Sequence, residues 1–271
     1  GGSSDSWLFV QKILAEKGFQ VICPDLPGFG KTPSPPKEWA VNDYVEWIKQ
    51  FCEKISQVYG EPIALRVPQV FDSEVFDREA QTESAQTRRG DPEYIERVEP
   101  FSLLGHSFGG GVAVKFAIKY PNFISRLILV APAIVRQKKL KQHIYFLLAK
   151  GGKFIFSLPV LSLFQALGRK ILYKFLGLND YYKVFLQKSL SMKETFKKVV
   201  REDLQKFLPE IKSQTLLIWG KKDRVTPLDQ AHVIQKGIPN SQLKIIPEVG
   251  HVPNFEAPEK LAEIIIQFLR N

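Results

Sequence analysis

Residues Phe101-Ser-Leu-Leu-Gly-His-Ser107-Phe-Gly-Gly110 constrain this chain more than any other stretch. An apolar run with the length of a buried strand leads straight into Gly-x-Ser-x-Gly, and an Ala/Val/Ile-rich helical pattern follows to Lys119. Strand, tight turn and helix are the setting in which that pattern becomes a nucleophile elbow rather than a glycine-flanked surface serine. The turn forces its central residue into a strained backbone conformation. Glycines two positions either side, Gly105 and Gly109, leave room for the chain to cross itself. Ser107 Oγ would then stand at the top of a sheet, with the start of the next helix stabilising negative charge beside it.

A serine hydroxyl is a weak nucleophile without a base to take its proton and a third group to orient that base. Gln214-Thr-Leu-Leu-Ile-Trp-Gly220 reads as a second buried strand, and Asp223 lies in the turn that leaves its end. Leu243-Lys-Ile-Ile-Pro247 reads as a third, followed by Glu248-Val-Gly-His251-Val-Pro253 and an amphipathic helix to Arg270. All three candidates sit just past strand C-termini, where a mostly parallel sheet places its site. Asp223 can also be a plain loop acid or the cap of a helix opening at Thr226-Pro227. It is favoured as the orienter because the preceding strand ends Val130-Ala-Pro-Ala133, with no acid. Of the other histidines, His106 lies inside the elbow, His143 in the lid region (134–207), and His232 on a helix flank, so His251 is the expected base. Glu256 could serve as a second acid, but its Ala-Pro neighbours suit it to anchoring the last helix.

The order Ser107, Asp223, His251 is that of the α/β-hydrolase fold. The chain resembles α/β-hydrolases of the esterase, lipase and C–C hydrolase kind in GGSSDSW at its start, DLPGFGKT (25–32), GHSFGG (105–110), WGKKDRVTP (219–227) and GHVPNFEAPE (250–259). These segments span nearly the whole chain. The resemblance implies an α/β fold, a mostly parallel sheet flanked by helices with a helical lid. It also implies cleavage of carboxylic esters through an acyl-enzyme, without metal or cofactor. The Phe108 backbone N–H would be one oxyanion donor. In the family an apolar strand and His-Gly-x come first, so the second donor would lie upstream of Gly1, with the N-terminal strands. A C–C bond hydrolase, an acyltransferase and a ligand sensor share the same constellation, because the fold hosts many chemistries.

With 271 residues, 44% of them hydrophobic, the chain can bury one large core or two modest ones. No window reaches the roughly 18–20 apolar residues of a membrane span; the best, 154–167, contains Pro159. There is no dinucleotide or phosphate-loop fingerprint. Cys23 and Cys52 lack metal-ligand spacing and do not make a disulfide framework, which suits a reducing cytoplasm. The chain lacks an initiator Met and is expected to be part of a longer product, so a leader would lie outside it.

Helices are expected over Trp7–Lys17 and Val41–Val58, the second capped by Asn42 or Asp43, with a strand over Phe19–Cys23. Two anomalies interrupt the core, which is assigned to 1–133 and 208–271. Residues 61–98 hold no lysine, five of the 11 arginines and nine acids, between two copies of Glu-Pro. They read as an inserted loop joining helix to strand, on the side of the sheet away from Ser107. Residues 134–207 carry 16 Lys/Arg against four acids, so the remainder of the +10 chain is slightly acidic. Their helical apolar spacing and 12 Phe and Tyr suit the lid position. A solvated lysine face is the plainer account of the charge; attraction of anionic substrates or a membrane surface is the sharper one. Nucleic acid is not an expected partner, since no recognition module accompanies the charge. A small ester or acyl compound is.

Overall fold

The computed structural model describes residues 2–59, 99–135 and 189–271. The expected insertion at 61–98 and most of the stretch 134–207 lie outside them. Strands β1 (Phe101–His106), β2 (Ile124–Val130), β3 (Gln214–Gly220) and β4 (Ser241–Ile246) form one sheet in that order, every pair parallel. A parallel strand covered on both faces needs apolar residues at successive positions. Leu127 to Val130 and Leu216 to Trp219 meet this need, and all eight are essentially inaccessible.

Alternation divides these residues between two cores. Leu127, Leu129, Leu217 and Trp219 pack with Val112, Phe116 and Ile234 on one face. Ile128, Val130, Leu216 and Ile218 pack with Val10, Leu14, Leu261 and Ile265 on the other. The first core is roofed by α2 (Val41–Tyr59), α3 (Phe108–Lys119) and α5 (Leu228–Gly237). The second is roofed by α1 (Leu8–Glu16) and α7 (Pro258–Arg270), which contact each other. Truncating a side chain as enclosed as Leu129 removes about 2–5 kcal/mol. The paired register keeps the strand ends together, so His106, Val130, Gly220 and Ile246 open onto one edge.

The N-terminal region departs from expectation. A 3₁₀ turn over Ser4–Trp7 precedes α1. Helix α1 stops at Gly18, whose φ of 88° only glycine adopts freely. Gly18 N–H then bonds Ala15 O and Phe19 N–H bonds Leu14 O, a Schellman closure. The expected strand at 19–23 is not one: these residues make no ladder with β1–β4. Apolar character alone does not make a strand, and Phe19 and Val21 satisfy theirs by packing on the second core. The expected cap of α2 is also corrected. Asp43 sits inside the first turn and reaches back to accept the Ala40 N–H at 2.6 Å, the acid's half of a capping box.

Helix α4 (Leu190–Arg201) lies within the expected lid segment. It is docked on the loop before α2. Ser191 Oγ donates to Pro35 O at 2.7 Å, Thr195 Oγ1 accepts from Trp39 N at 2.7 Å, and Met192 is buried against Tyr44.

Candidate active site

Ser107 follows β1 directly and has φ 50° and ψ −117°, a conformation that non-glycine residues rarely adopt. Three backbone hydrogen bonds hold it there. Its N–H donates to Val130 O, and its carbonyl accepts from Gly110 N and Ala133 N, each at 3.0 Å. The chain crossing is tight. A Cβ on Gly105 would lie 2.5 Å from Gly109 O, and one on Gly110 would lie 2.4 Å from Pro132 Cβ. Steric demand therefore falls on Gly105 and Gly110, whereas Gly109, expected to need it, has open space where a Cβ would go.

Asp223 and His251 come to Ser107 from the ends of β3 and β4. His251 Nε2 lies 3.0 Å from Ser107 Oγ, and His251 Nδ1 lies 2.8 Å from Asp223 Oδ2. The Asp223 side chain is wholly buried and that of His251 is 12% exposed, so the contact is nearly free of water. Oδ1 of Asp223 accepts the Val225 and Thr226 N–H groups at 2.8 and 2.9 Å, and Oδ2 accepts the Thr226 hydroxyl at 2.8 Å. Burial pushes this carboxyl up. The hydrogen bond and charge of His251 and the Thr226 donors outweigh burial and hold it below its ordinary value. An ionised Asp223 accepts from Nδ1–H, which leaves Nε2 as the lone pair facing Ser107.

The Phe108 N–H opens α3, where first-turn donors have no intrahelical acceptor, and none among the described residues takes it. The Phe108 ring stacks on Phe29 at 5.4 Å and meets Tyr44 edge-on at 5.1 Å. With Met192, Thr195, Phe196 and Val199 of α4 these rings line a small apolar crevice. His232 is exposed on α5, and His143 lies outside the described residues. Among the described residues no cluster of three or more His, Cys, Asp or Glu could hold a metal, and no helix is long and apolar enough to cross a membrane.

Residues 1–264 match the Alpha/beta hydrolase family. The chain belongs to that family. Among its relatives, human monoacylglycerol lipase ABHD6 is 27% identical over 98% of this chain and 71% of its own length. The mouse protein of the same name is 28% identical over the same shares. An esterase from Exiguobacterium antarcticum superposes with a TM-score of 0.65 at 19% identity, covering all of this chain and 88% of its own. A bacterial membrane phospholipase A gives 0.63 at 22% identity, over all of this chain and 76% of its own. At these identities the structural matches bear on the fold, an α/β-hydrolase sheet flanked by helices.

Three residues of this α/β-hydrolase site escaped the sequence reading. Thr226 supplies two of the donors to Asp223, and its spacing, an acid followed three residues later by a threonine, is that of a side-chain-closed turn. His106, given no part beyond its place in the elbow, puts Nε2 2.8 Å from His251 O. Glu256, expected to anchor the last helix, accepts from Gly250 N at 2.7 Å and Val252 N at 3.1 Å, contacts the sequence did not announce.

Proposed function

We propose that this α/β-hydrolase cleaves carboxylic esters through an acyl-enzyme, with Ser107 as nucleophile, His251 as base and Asp223 as orienter. One observation carries the reading: His251 lies within hydrogen-bond reach of both Ser107 Oγ and the buried Asp223 carboxylate. His251 Nε2 takes the proton as Ser107 Oγ attacks the ester carbonyl carbon, and the carbonyl oxygen becomes an oxyanion facing the Phe108 N–H. Collapse breaks the acyl–oxygen bond, and the departing alkoxide receives the same proton. Water then gives a proton to His251 and its oxygen to the acyl carbon, which releases the carboxylic acid and restores Ser107. Asp223 holds the imidazole in the required tautomer and stabilises the imidazolium that forms at each step.

The names of the relatives, monoacylglycerol lipase and esterase, support an ester as substrate. Residues 134–207 as a helical lid, and a reducing cytoplasmic setting for the unpaired Cys23 and Cys52, belong to the same reading.

Labelling with a fluorophosphonate, followed by peptide mapping, tests the assignment. The parent chain takes the label at Ser107. Ser107→Ala takes none and loses on the order of 10³–10⁶ of its turnover of p-nitrophenyl butyrate. Labelling at another serine overturns the assignment. Stoichiometric binding of the ester with no burst of p-nitrophenol favours a ligand sensor instead.

A further inference from the structure

The imidazole of His251 must meet Asp223 on one side and Ser107 on the other, yet it rides on a loop at the edge of the sheet. That loop begins with a non-glycine residue in the left-handed region, Glu248 at φ 62°. Its tip is gripped from outside. The two oxygens of the Glu256 carboxylate accept the N–H on either side of His251, that of Gly250 at 2.7 Å and that of Val252 at 3.1 Å. His106 Nε2 meets the carbonyl of His251 itself at 2.8 Å. Burial first, then the nearby His251, push the His106 pKa down to about 3, so the ring is neutral. It therefore carries one N–H, and against a carbonyl oxygen that N–H must be on Nε2.

Glu256 is itself fixed. Its N–H donates to Val252 O at 3.0 Å, closing the turn from the other direction, within the short helix α6 (Pro253–Glu256). Asn254 of α6 is buried and donates from Nδ2 to Ser6 O at 2.8 Å, which ties the helix to the N-terminal turn. The Trp7 ring lies edge-on against His106, centroids 6.0 Å apart. The carboxylate thus projects from a braced turn onto the backbone that carries the imidazole.

We infer that Glu256 and His106 form a collar on the His251 main chain, and that Glu256 is a positioning residue for the proton transfer between Ser107 and His251. This rests on the proposed roles of Ser107, His251 and Asp223. A displaced imidazole loses rate in the chemical step and leaves the affinity for the ester nearly unchanged. A residue that only capped α6 would change stability and leave both alone.

The experiment compares the parent with Glu256→Ala and Glu256→Gln. The amide of Gln can accept from one of the two N–H groups but not both, so it retains half of the clamp. Expected are a fall in kcat for p-nitrophenyl butyrate of about tenfold or more for Ala and a smaller fall for Gln, with KM within about twofold. The rate of fluorophosphonate labelling at Ser107 falls in parallel. His106→Gln, whose amide can still donate to the His251 carbonyl, retains more activity than His106→Phe. A second readout needs no turnover. In protein labelled with ¹⁵N-histidine, the downfield proton of the His251 Nδ1–H to Asp223 bond broadens or moves in Glu256→Ala and lies between the two in Glu256→Gln. An unchanged downfield proton in folded Glu256→Ala overturns the collar whatever the activity. An equal kcat per labelled serine overturns it as well. If the parent neither labels nor turns over but the proton responds, the collar stands and the hydrolase reading falls.

Discussion

The loops that carry Asp223 and His251 leave neighbouring strands, yet they are held in opposite ways. The Asp223 loop is organised from inside: the carboxylate that faces His251 also binds the N–H groups of Val225 and Thr226 and the Thr226 hydroxyl. The His251 loop is organised from outside, by Glu256 and His106, while the imidazole reaches away to Asp223 and Ser107. In the first loop, the proposed chemistry and the architecture share one side chain and cannot be mutated apart. In the second they belong to different residues and can be. The two sites lie on adjacent strands, and backbone bonds from Lys221 N to Ile246 O and Lys222 N to Val249 O tie them together.

The largest effect expected from this difference is at Asp223. Asp223→Asn keeps an oxygen for some of the loop donors but sets an amide against them or against His251 Nδ1. Turnover should fall on the order of 10³–10⁴-fold through the wrong imidazole tautomer. Because the same group closes its own loop, unfolding free energy should fall too, by about 1–3 kcal/mol for a buried donor left unmet. Denaturant unfolding of the purified variant reads the second number. Loss of turnover with stability intact would break the comparison, by showing that the loop closes without the carboxylate.

Acid titration separates the same two loops by pH. Folding lowers the His106 pKa from 6.5 to about 3, so the unfolded chain binds the proton more tightly across that window. Stability is then unaffected by His106 above pH 6.5 and falls as the pH drops from 6.5 towards 3, by at most about 1.4 kcal/mol per pH unit. Asp223 has the opposite ionisation but the same sign. Its folded pKa lies below 3.8, so its contribution is present above 3.8 and lost as the pH falls through the lower folded value. His106→Gln should flatten the upper part of a melting-temperature profile and leave the steep fall below pH 3.8. A variant profile parallel to the parent's from pH 6.5 to 4 would show that His106 does not stay neutral on folding.

Most of this was legible in the sequence where structure is local or strongly patterned. The elbow, the buried strands β2 and β3 and the order Ser107, Asp223, His251 follow from apolar runs ending in turn residues. Where the sequence misled, tertiary partners decided. Phe19–Cys23 has a strand's composition, but a strand also requires a neighbour's backbone, and no window of sequence contains that. Gly109 and Gly110 are indistinguishable as letters, and only the approach of Pro132 shows which of them cannot bear a side chain. Glu256 was legible as an anchor but not as a ligand of the His251 backbone. Both contacts are to backbone N–H groups, which almost every residue type has, so the sequence does not mark them; only in the structure is it seen that a Cβ on Gly250 would lie 3.1 Å from the Glu256 carboxylate.

The smallest effect lies in the strain that outside support tolerates. Glu248 opens the His251 loop at φ 62°, a conformation costing a non-glycine residue about 1–2 kcal/mol, while the Asp223 loop has no such residue. Glu248 also pairs with Lys222, but both side chains are more than half exposed, and such a pair contributes about 0–1 kcal/mol. Glu248→Gly relieves the strain, loses the pair and gives the unfolded chain more freedom, which offsets part of the gain. The net expected is a stabilisation of about 0.5 kcal/mol, with turnover within twofold of the parent. Glu248→Asn, which tolerates the left-handed region better than Glu, should fall between. Chemical denaturation of the three proteins side by side resolves the order. If Glu248→Gly is instead the least stable by about 1 kcal/mol or more, the pair with Lys222 of the Asp223 loop matters more than the backbone strain, and the His251 loop would lean on its neighbour for part of its support.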